Sequence, residues 1–89
     1  MNNTTKLQRF LEDNGYWADM VPDSGAKDGY CLCLEIRAKN NQKHYIAIYL
    51  NEKNVFILRV DNFICSVECA TNEIVLSVIK MAILCGGWE

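Results

Sequence analysis

The sequence lacks the motifs that usually identify an enzyme. It has no Gly-rich phosphate loop, no paired Ser, His and Asp set and no repeated CxxC motif, and it contains one histidine and one proline. No segment approaches the ~18 consecutive apolar residues of a membrane-spanning helix. The start of the chain has no apolar signal-peptide core, which predicts a cytoplasmic location. We therefore expect neither catalysis, nor a cofactor, nor a membrane span.

The composition is that of a small folded domain. Hydrophobic residues make up 51% of the 89 residues and charged residues 22%, which predicts one domain over 1–89 rather than a disordered chain. The net charge of −2 is too small for binding nucleic acid by bulk attraction, so direct nucleic-acid binding is not favoured. A domain this small buries only about 60–65% of its unfolded surface. Contact with a second copy of the chain could bury more apolar surface, so a homodimer is a possible assembly.

The middle of the chain alternates apolar and polar residues, which is typical of strands with one buried face. Strong strands are predicted around 30–38, 44–50, 55–60 and 63–68, with a shorter one at 16–21. The connections are short, so successive strands should pair as an antiparallel meander of four or five strands. The face expected to carry the core holds Leu32, Leu34, Ile46, Ile48, Phe56 and Leu58.

A helix is predicted at each end of the chain, which makes the fold class α+β. Thr4 or Thr5 can cap the first helix, and Asn14-Gly15 can end it. The second helix should run from Thr71 to Cys85 and is apolar nearly all round. Such a helix is normally buried on most sides, against the sheet, the first helix or a second subunit.

Five cysteines lie at positions 31, 33, 65, 69 and 85. Their odd number and their place inside strand and helix patterns favour reduced thiols that act as small apolar side chains. Zinc binding and disulfide pairing are the alternatives, with His44 or Cys85 as a reserve zinc ligand. His44 could also act with a thiol in catalysis, although no orienting group is evident. No metal site is predicted.

The charges are unevenly distributed along the chain. Residues 11–35 carry a net charge of −5, residues 36–60 carry +4 and residues 61–89 carry −3. An ordinary solvated surface would explain this pattern. The functional interpretation is an acidic edge that docks on a basic, nucleic-acid-binding groove of a partner and uses charge to steer association. Its members are Asp13, Asp19, Asp23 and Asp28.

Three aromatic residues are candidate anchors for a partner. Trp17 lies inside the acidic segment, and Tyr45 and Tyr49 share the strand face opposite the main aliphatic set. Aromatic side chains combine a large contact area with a polar group, which suits a binding surface. A helix covering that face would instead make the two tyrosines part of a second core.

The whole chain is similar in size and architecture to small phage-encoded anti-defence proteins, including the anti-CRISPR class. The likeness consists of a short, single-domain, cysteine-tolerant chain with a helix–sheet–helix plan and no catalytic signature. It implies a non-enzymatic inhibitor that blocks a host nuclease or surveillance complex, and no motif carries over a functional residue.

Two other functions stay open on the sequence alone. One is a nucleic-acid-binding or regulatory module that uses the basic and aromatic residues of the middle segment. Its candidate residues are Lys39, Lys43, Tyr45, Tyr49 and Arg59. The other is a zinc- or thiol-dependent enzyme or sensor.

Overall fold

One antiparallel sheet and two helices make up residues 3–61 and 66–85, the part of the chain that the computed structural model describes. The elements are α1 (Asn3–Asp13), β1 (Asp19–Pro22), β2 (Tyr30–Arg37), β3 (Lys43–Leu50), β4 (Phe56–Val60), β5 (Ser66–Cys69) and α2 (Asn72–Cys85). The predicted α+β class is confirmed. In the described residues one helix precedes the five strands along the chain, and the other follows them.

The strands follow one another across the sheet in the order β1-β2-β3-β4-β5, so the predicted meander is confirmed. Leu34 pairs with Ile46, and Ile48 pairs with Leu58, which places the aliphatic residues of neighbouring strands on one face. Asn41, Asn54 and Asp61 adopt positive φ at the turns. Asn and Asp tolerate this conformation better than most residues, which explains why the connections can be so short.

Both helices pack on the same face of the sheet. α1 contacts β2 and β3, and α2 contacts β4 and β5. The core lies between this helix layer and the predicted aliphatic face, all of whose members are buried. The helices contribute Leu7, Leu11, Val75, Ile79 and Ile83 to it.

The first helix ends in a glycine-dependent cap. The amide of Tyr16 donates to the carbonyl of Leu11 at 2.9 Å, and the amide of Gly15 donates to the carbonyl of Glu12 at 3.0 Å. This pair of bonds is a Schellman motif, and Gly15 adopts the φ of 87° that it needs. The predicted stop at Asn14-Gly15 is confirmed.

Three local predictions need correction. Neither Thr4 nor Thr5 is the N-cap of α1, because the helix already includes Asn3, and Thr4 is buried inside the first turn. β1 begins at Asp19 rather than at residue 16, because Tyr16 still belongs to the helix cap. The last strand was predicted at 63–68 and is observed at Ser66–Cys69, while residues 62–65 lie outside the described residues.

The second helix is less buried than its composition predicted. Thr71 caps it as expected, since its hydroxyl accepts from the amide of Ile74 at 3.2 Å. One side is buried in the core, but Ile74, Met81 and Leu84 are 43%, 60% and 70% exposed. In residues 3–61 and 66–85, neither helix is long and apolar enough to cross a membrane.

Candidate partner-binding surface

The face of the sheet opposite the two helices is not covered by any other described element, and we call it the open face. Alternation along the strands sends every second side chain to it. Its members include Asp19, Val21, Cys33, Glu35, Tyr45, Ala47, Tyr49 and Arg59. The two tyrosines therefore lie on a sheet surface that is available for contact, rather than in a second core.

A row of apolar side chains crosses the open face at Tyr49. Register pairing places Tyr49 between Cys31 on β2 and Ile57 on β4. Both neighbours are buried, to 8% and 6% exposure, although they point away from the helices. Arg59 lies over the Tyr49 ring, with its guanidinium carbon 6.0 Å from the ring centroid, a cation–π geometry. The row is a packed platform at the centre of this face.

Tyr45 is the more accessible tyrosine and is held by the start of the β4–β5 connection. Its side chain is 53% exposed. Its amide donates to a carboxylate oxygen of Asp61 at 2.7 Å, and its carbonyl accepts from the amide of Asp61 at 2.6 Å. These two bonds fix the backbone of Tyr45, so its ring is presented from a rigid position.

Asp61 also binds a ring nitrogen of His44 with its other carboxylate oxygen, at 2.7 Å. Burial would raise the pKa of Asp61, but the hydrogen bonds from His44 and from the Tyr45 amide outweigh it and lower the pKa below its ordinary value. His44 pairs with Ile36 and thus lies on the helix side of the sheet. The His44–Asp61 contact therefore secures the strand end beneath Tyr45.

Trp17 is the most exposed large hydrophobic residue in the described chain, at 71%. Its indole N–H donates to a carboxylate oxygen of Asp19 at 2.9 Å. Asp19 opens the edge strand β1 and pairs with Cys33, which places it on the open face. The structure thus joins an aromatic residue and an acid of the predicted edge at one corner of the open face.

The remaining acids of the predicted edge are dispersed. Asp28 binds the start of α1 through Thr4, whereas Asp13 lies at the end of α1, which is roughly 16 Å long for its 11 residues. Asp23 accepts from the amide of Gly25 at 2.9 Å and so shapes its own loop. Only Asp19 is directly joined to Trp17, so the four acids do not form one cluster.

The described strand cysteines lie on two different sides of the sheet. Cys31 and Cys33 are on the open side of the sheet, while Cys69 pairs with Phe56 and is buried on the helix side. His44 is also on the helix side, so the sheet separates it from Cys31 and Cys33. Cys65 lies outside the described residues. Among those described, no group of three or more His, Cys, Asp or Glu side chains could hold a metal ion.

Burial also makes the inner thiols weak acids. Burial raises the pKa of Cys31 to about 11, and the neighbouring Cys33 adds to this effect. Burial likewise raises the pKa of Cys69. A catalytic or metal-binding cysteine needs a lowered pKa, because the thiolate is the reactive form. These two residues have the properties of structural cysteines.

Comparison of the chain with protein-family models gives no match. Comparisons with curated proteins and with solved structures also give no significant match. The basis of the functional proposal is therefore the geometry of the surface itself.

Two contributors to the open face were missed in the sequence. The sequence pointed to no role for Asp61 at a binding surface, yet this residue holds both His44 and Tyr45. Arg59 was considered as a nucleic-acid contact. The register pairs it with Ala47, and this pair is next to the Tyr49–Ile57 pair on the same face, which explains its position over the Tyr49 ring. The one signal available in the sequence was an aspartate directly after a predicted strand, because a turn acid next to strand ends often binds backbone amides.

Proposed function

We propose that this protein is a non-enzymatic inhibitor that binds a macromolecular partner through the open face and its Trp17 corner. By its similarity in size and architecture to phage anti-defence proteins, the proposed partner is a host nuclease or surveillance complex of the CRISPR type in the cytoplasm. Binding would occlude the basic groove through which such a complex holds nucleic acid.

The observation that carries this proposal is the exposure of aromatic residues on and beside a sheet face that no other described element covers. Trp17 and Tyr45 are 71% and 53% exposed. A hydrogen bond to Asp19 holds the Trp17 indole, and hydrogen bonds with Asp61 hold the backbone of Tyr45. Anchoring aromatics that are already ordered lose little conformational entropy on binding. Asp19 beside Trp17 supplies the negative charge that a basic partner surface would attract.

The open face also gives some support to the nucleic-acid-binding alternative. Lys43, Tyr45, Tyr49 and Arg59 all lie on it. Both cations of this set already have a partner within the chain, because Lys43 lies 3.5 Å from Glu35 and Arg59 lies over the Tyr49 ring. The acidic net charge of −2 further reduces attraction for a phosphate backbone. We therefore favour a protein partner.

The experiment that tests this proposal combines capture with an activity assay. The full chain is immobilised and exposed to purified CRISPR nuclease complexes and to single-stranded oligonucleotides, and target cleavage is then measured with the chain in solution. Stoichiometric binding of a complex with loss of cleavage supports inhibition. Binding of oligonucleotide alone supports the alternative function and overturns the proposal.

Three variants locate the contact surface. Trp17→Ala and Tyr45→Ala should each weaken capture and inhibition by about tenfold or more, as expected for anchor residues worth more than ~1.4 kcal/mol. Met81→Ala is the matched control, because Met81 is 60% exposed on α2, away from the open face. If Met81→Ala reduces binding as much as the other two, the open face is not the binding surface.

A further inference from the structure

A groove runs across one end of the molecule, where both helices finish beside the end of β2. Three adjoining depressions with volumes of about 730, 340 and 240 Å3 share Tyr16 as a lining residue. We call them together the Tyr16 groove. Its floor is formed by Tyr16, Ile36 and Ile83, one residue each from the α1 cap, β2 and α2.

The charged residues along this groove are mostly basic. Arg37 and Lys39 line the largest depression and Lys80 lines the smallest. No carboxylate of the described residues pairs with any of these three, which we call the groove cations. The one lining acid, Glu35, already lies 3.5 Å from Lys43. The groove is thus a local positive surface on a chain of net charge −2.

The shape and lining of the groove select a peptide over other ligands. The largest depression is broadly open to solvent, whereas small-molecule sites usually enclose about 70–90% of their ligand. A nucleic acid would need a series of aromatic stacking platforms in addition to cations, but Tyr16 is the one aromatic among the described lining residues of the largest depression. An extended peptide with alternating carboxylates and apolar side chains matches both features of the groove.

We propose that the Tyr16 groove binds an acidic peptide segment of a partner protein. An aromatic or aliphatic side chain of the segment rests on the floor, and its carboxylates pair with the groove cations. Recognition of acidic motifs by clustered basic residues is a known use of such surfaces. The groove adjoins the open face at Trp17, Glu35 and Arg37. Its floor of Tyr16, Ile36 and Ile83 lies outside that face, so the proposed peptide site does not depend on the proposed inhibitor role.

The direct test uses fluorescein-labelled peptides and the full chain, with fluorescence anisotropy as the readout. The probe is a peptide of Asp and Glu residues that carries one Phe and one Leu. The comparison probes are the same peptide with Ala in place of Phe and Leu, a Lys-rich version that retains Phe and Leu, and a single-stranded oligonucleotide. We expect saturable binding of the first probe only, and added salt should weaken this binding. In NMR spectra of the chain, addition of the same probe should change the amide chemical shifts of Tyr16 and Ile36.

Charge reversal locates the binding site. Arg37→Glu combined with Lys39→Glu should weaken probe binding by about tenfold, because two ion pairs at the rim are replaced by two like-charge contacts. Lys6→Glu combined with Lys53→Glu is the matched control. It changes the net charge equally, and both residues are exposed and do not line the groove. The control should change affinity by less than about twofold.

Several results would overturn the proposal. The first is no saturable binding of the acidic probe at about 1 mM. The second is equal loss of affinity in the two double variants, which would indicate non-specific attraction. The third is tighter binding of the oligonucleotide, which would make the groove a nucleic-acid surface. Tyr45→Ala separates the two binding surfaces, because Tyr45 does not line the groove and its substitution should leave the peptide affinity unchanged.

Discussion

Asp28 holds the first turn of α1 from a loop that is 24 residues away in sequence. One of its carboxylate oxygens accepts from the amide of Thr4 at 3.2 Å and from the hydroxyl of Thr4 at 2.9 Å. The N-terminal amides of a helix have no partner within the helix, so an acid that accepts from one of them caps the helix from outside. Asp28 therefore joins α1 to the β1–β2 connection, in addition to any role in partner binding.

Asp28→Ala should lower the free energy of unfolding by about 1–2 kcal/mol, as loss of a helix cap does. The buried hydroxyl of Thr4 would also lose its acceptor. Urea unfolding followed by circular dichroism measures this change. Asp13→Ala is the matched control, because that acid is exposed at the unfavourable end of the same helix and its removal should be neutral or slightly stabilising. Equal destabilisation by both changes would contradict the capping role.

The contact of Asp28 with Thr4 changes how the acidic edge can be tested. A charge reversal at Asp28 would weaken the fold as well as any partner contact, so its effect on binding would be ambiguous. Asp19→Lys and Asp13→Lys are the informative changes, since both positions are exposed. Retention of binding and of its salt dependence in both variants would exclude acidic steering at these sites.

Leu34→Ala should cost about 2–4 kcal/mol of stability. Leu34 is 1% exposed and lies on the interior strand β2, opposite Ile46 and beneath the helices. Leu84→Ala makes the same chemical change at a position that is 70% exposed and should cost less than about 0.5 kcal/mol. Denaturant midpoints measured side by side check the pair. A Leu34→Ala protein as stable as the Leu84→Ala protein would show that the assigned core face is wrong.

The sequence predicted the sheet well because its information is local. Alternation with a period of two assigns each strand residue to a face, and short turns leave a meander as the simplest order. The pattern assigned the core face correctly but could not show whether the opposite face stays open, because Cys31 and Ile57 make that face apolar as well. It also could not predict the contacts of Thr4 with Asp28 or of His44 with Asp61, which depend on distances between elements rather than on periodicity. The Tyr16 groove was missed for the same reason.

Acid should weaken the fold through Asp61. Its folded pKa is lowered by the hydrogen bonds from His44 and the Tyr45 amide, in spite of burial, below the ordinary value of 3.8. A lowered carboxyl pKa gives stability that is present above the unfolded pKa and is lost as the pH falls through the folded pKa. The free energy of unfolding should therefore decrease as the pH is lowered below 3.8.

Asp61→Asn isolates this effect. Asparagine tolerates the φ of 51° at this turn and can still accept from the Tyr45 amide, but it has no carboxyl group to titrate. We expect the variant to show a shallower loss of stability in acid than the unsubstituted chain. An acid dependence that is identical in Asp61→Asn and the unsubstituted chain would contradict the role of Asp61.

The exposed stripe of α2, formed by Ile74, Met81 and Leu84, favours weak self-association rather than a stable homodimer. Three partly exposed side chains supply much less than the ~800 Å2 per partner of a standard interface. Light scattering should therefore give a monomer mass at low micromolar concentration and a rising mean mass only at much higher concentration. Met81→Glu should abolish that rise. A concentration-independent dimer mass would show that a larger surface is involved.

The thiols should differ sharply in their reactivity with iodoacetamide. Cys31, with a pKa of about 11, would be only about one-thousandth thiolate at pH 8, and Cys69 is fully buried. Cys85 is exposed at the end of α2. Peptide mass spectrometry of the folded protein should show early labelling at Cys85 and none at Cys31 or Cys69, whereas all should react in guanidinium. Early labelling of Cys31 in the folded chain would contradict its structural role and would favour the thiol-dependent alternative.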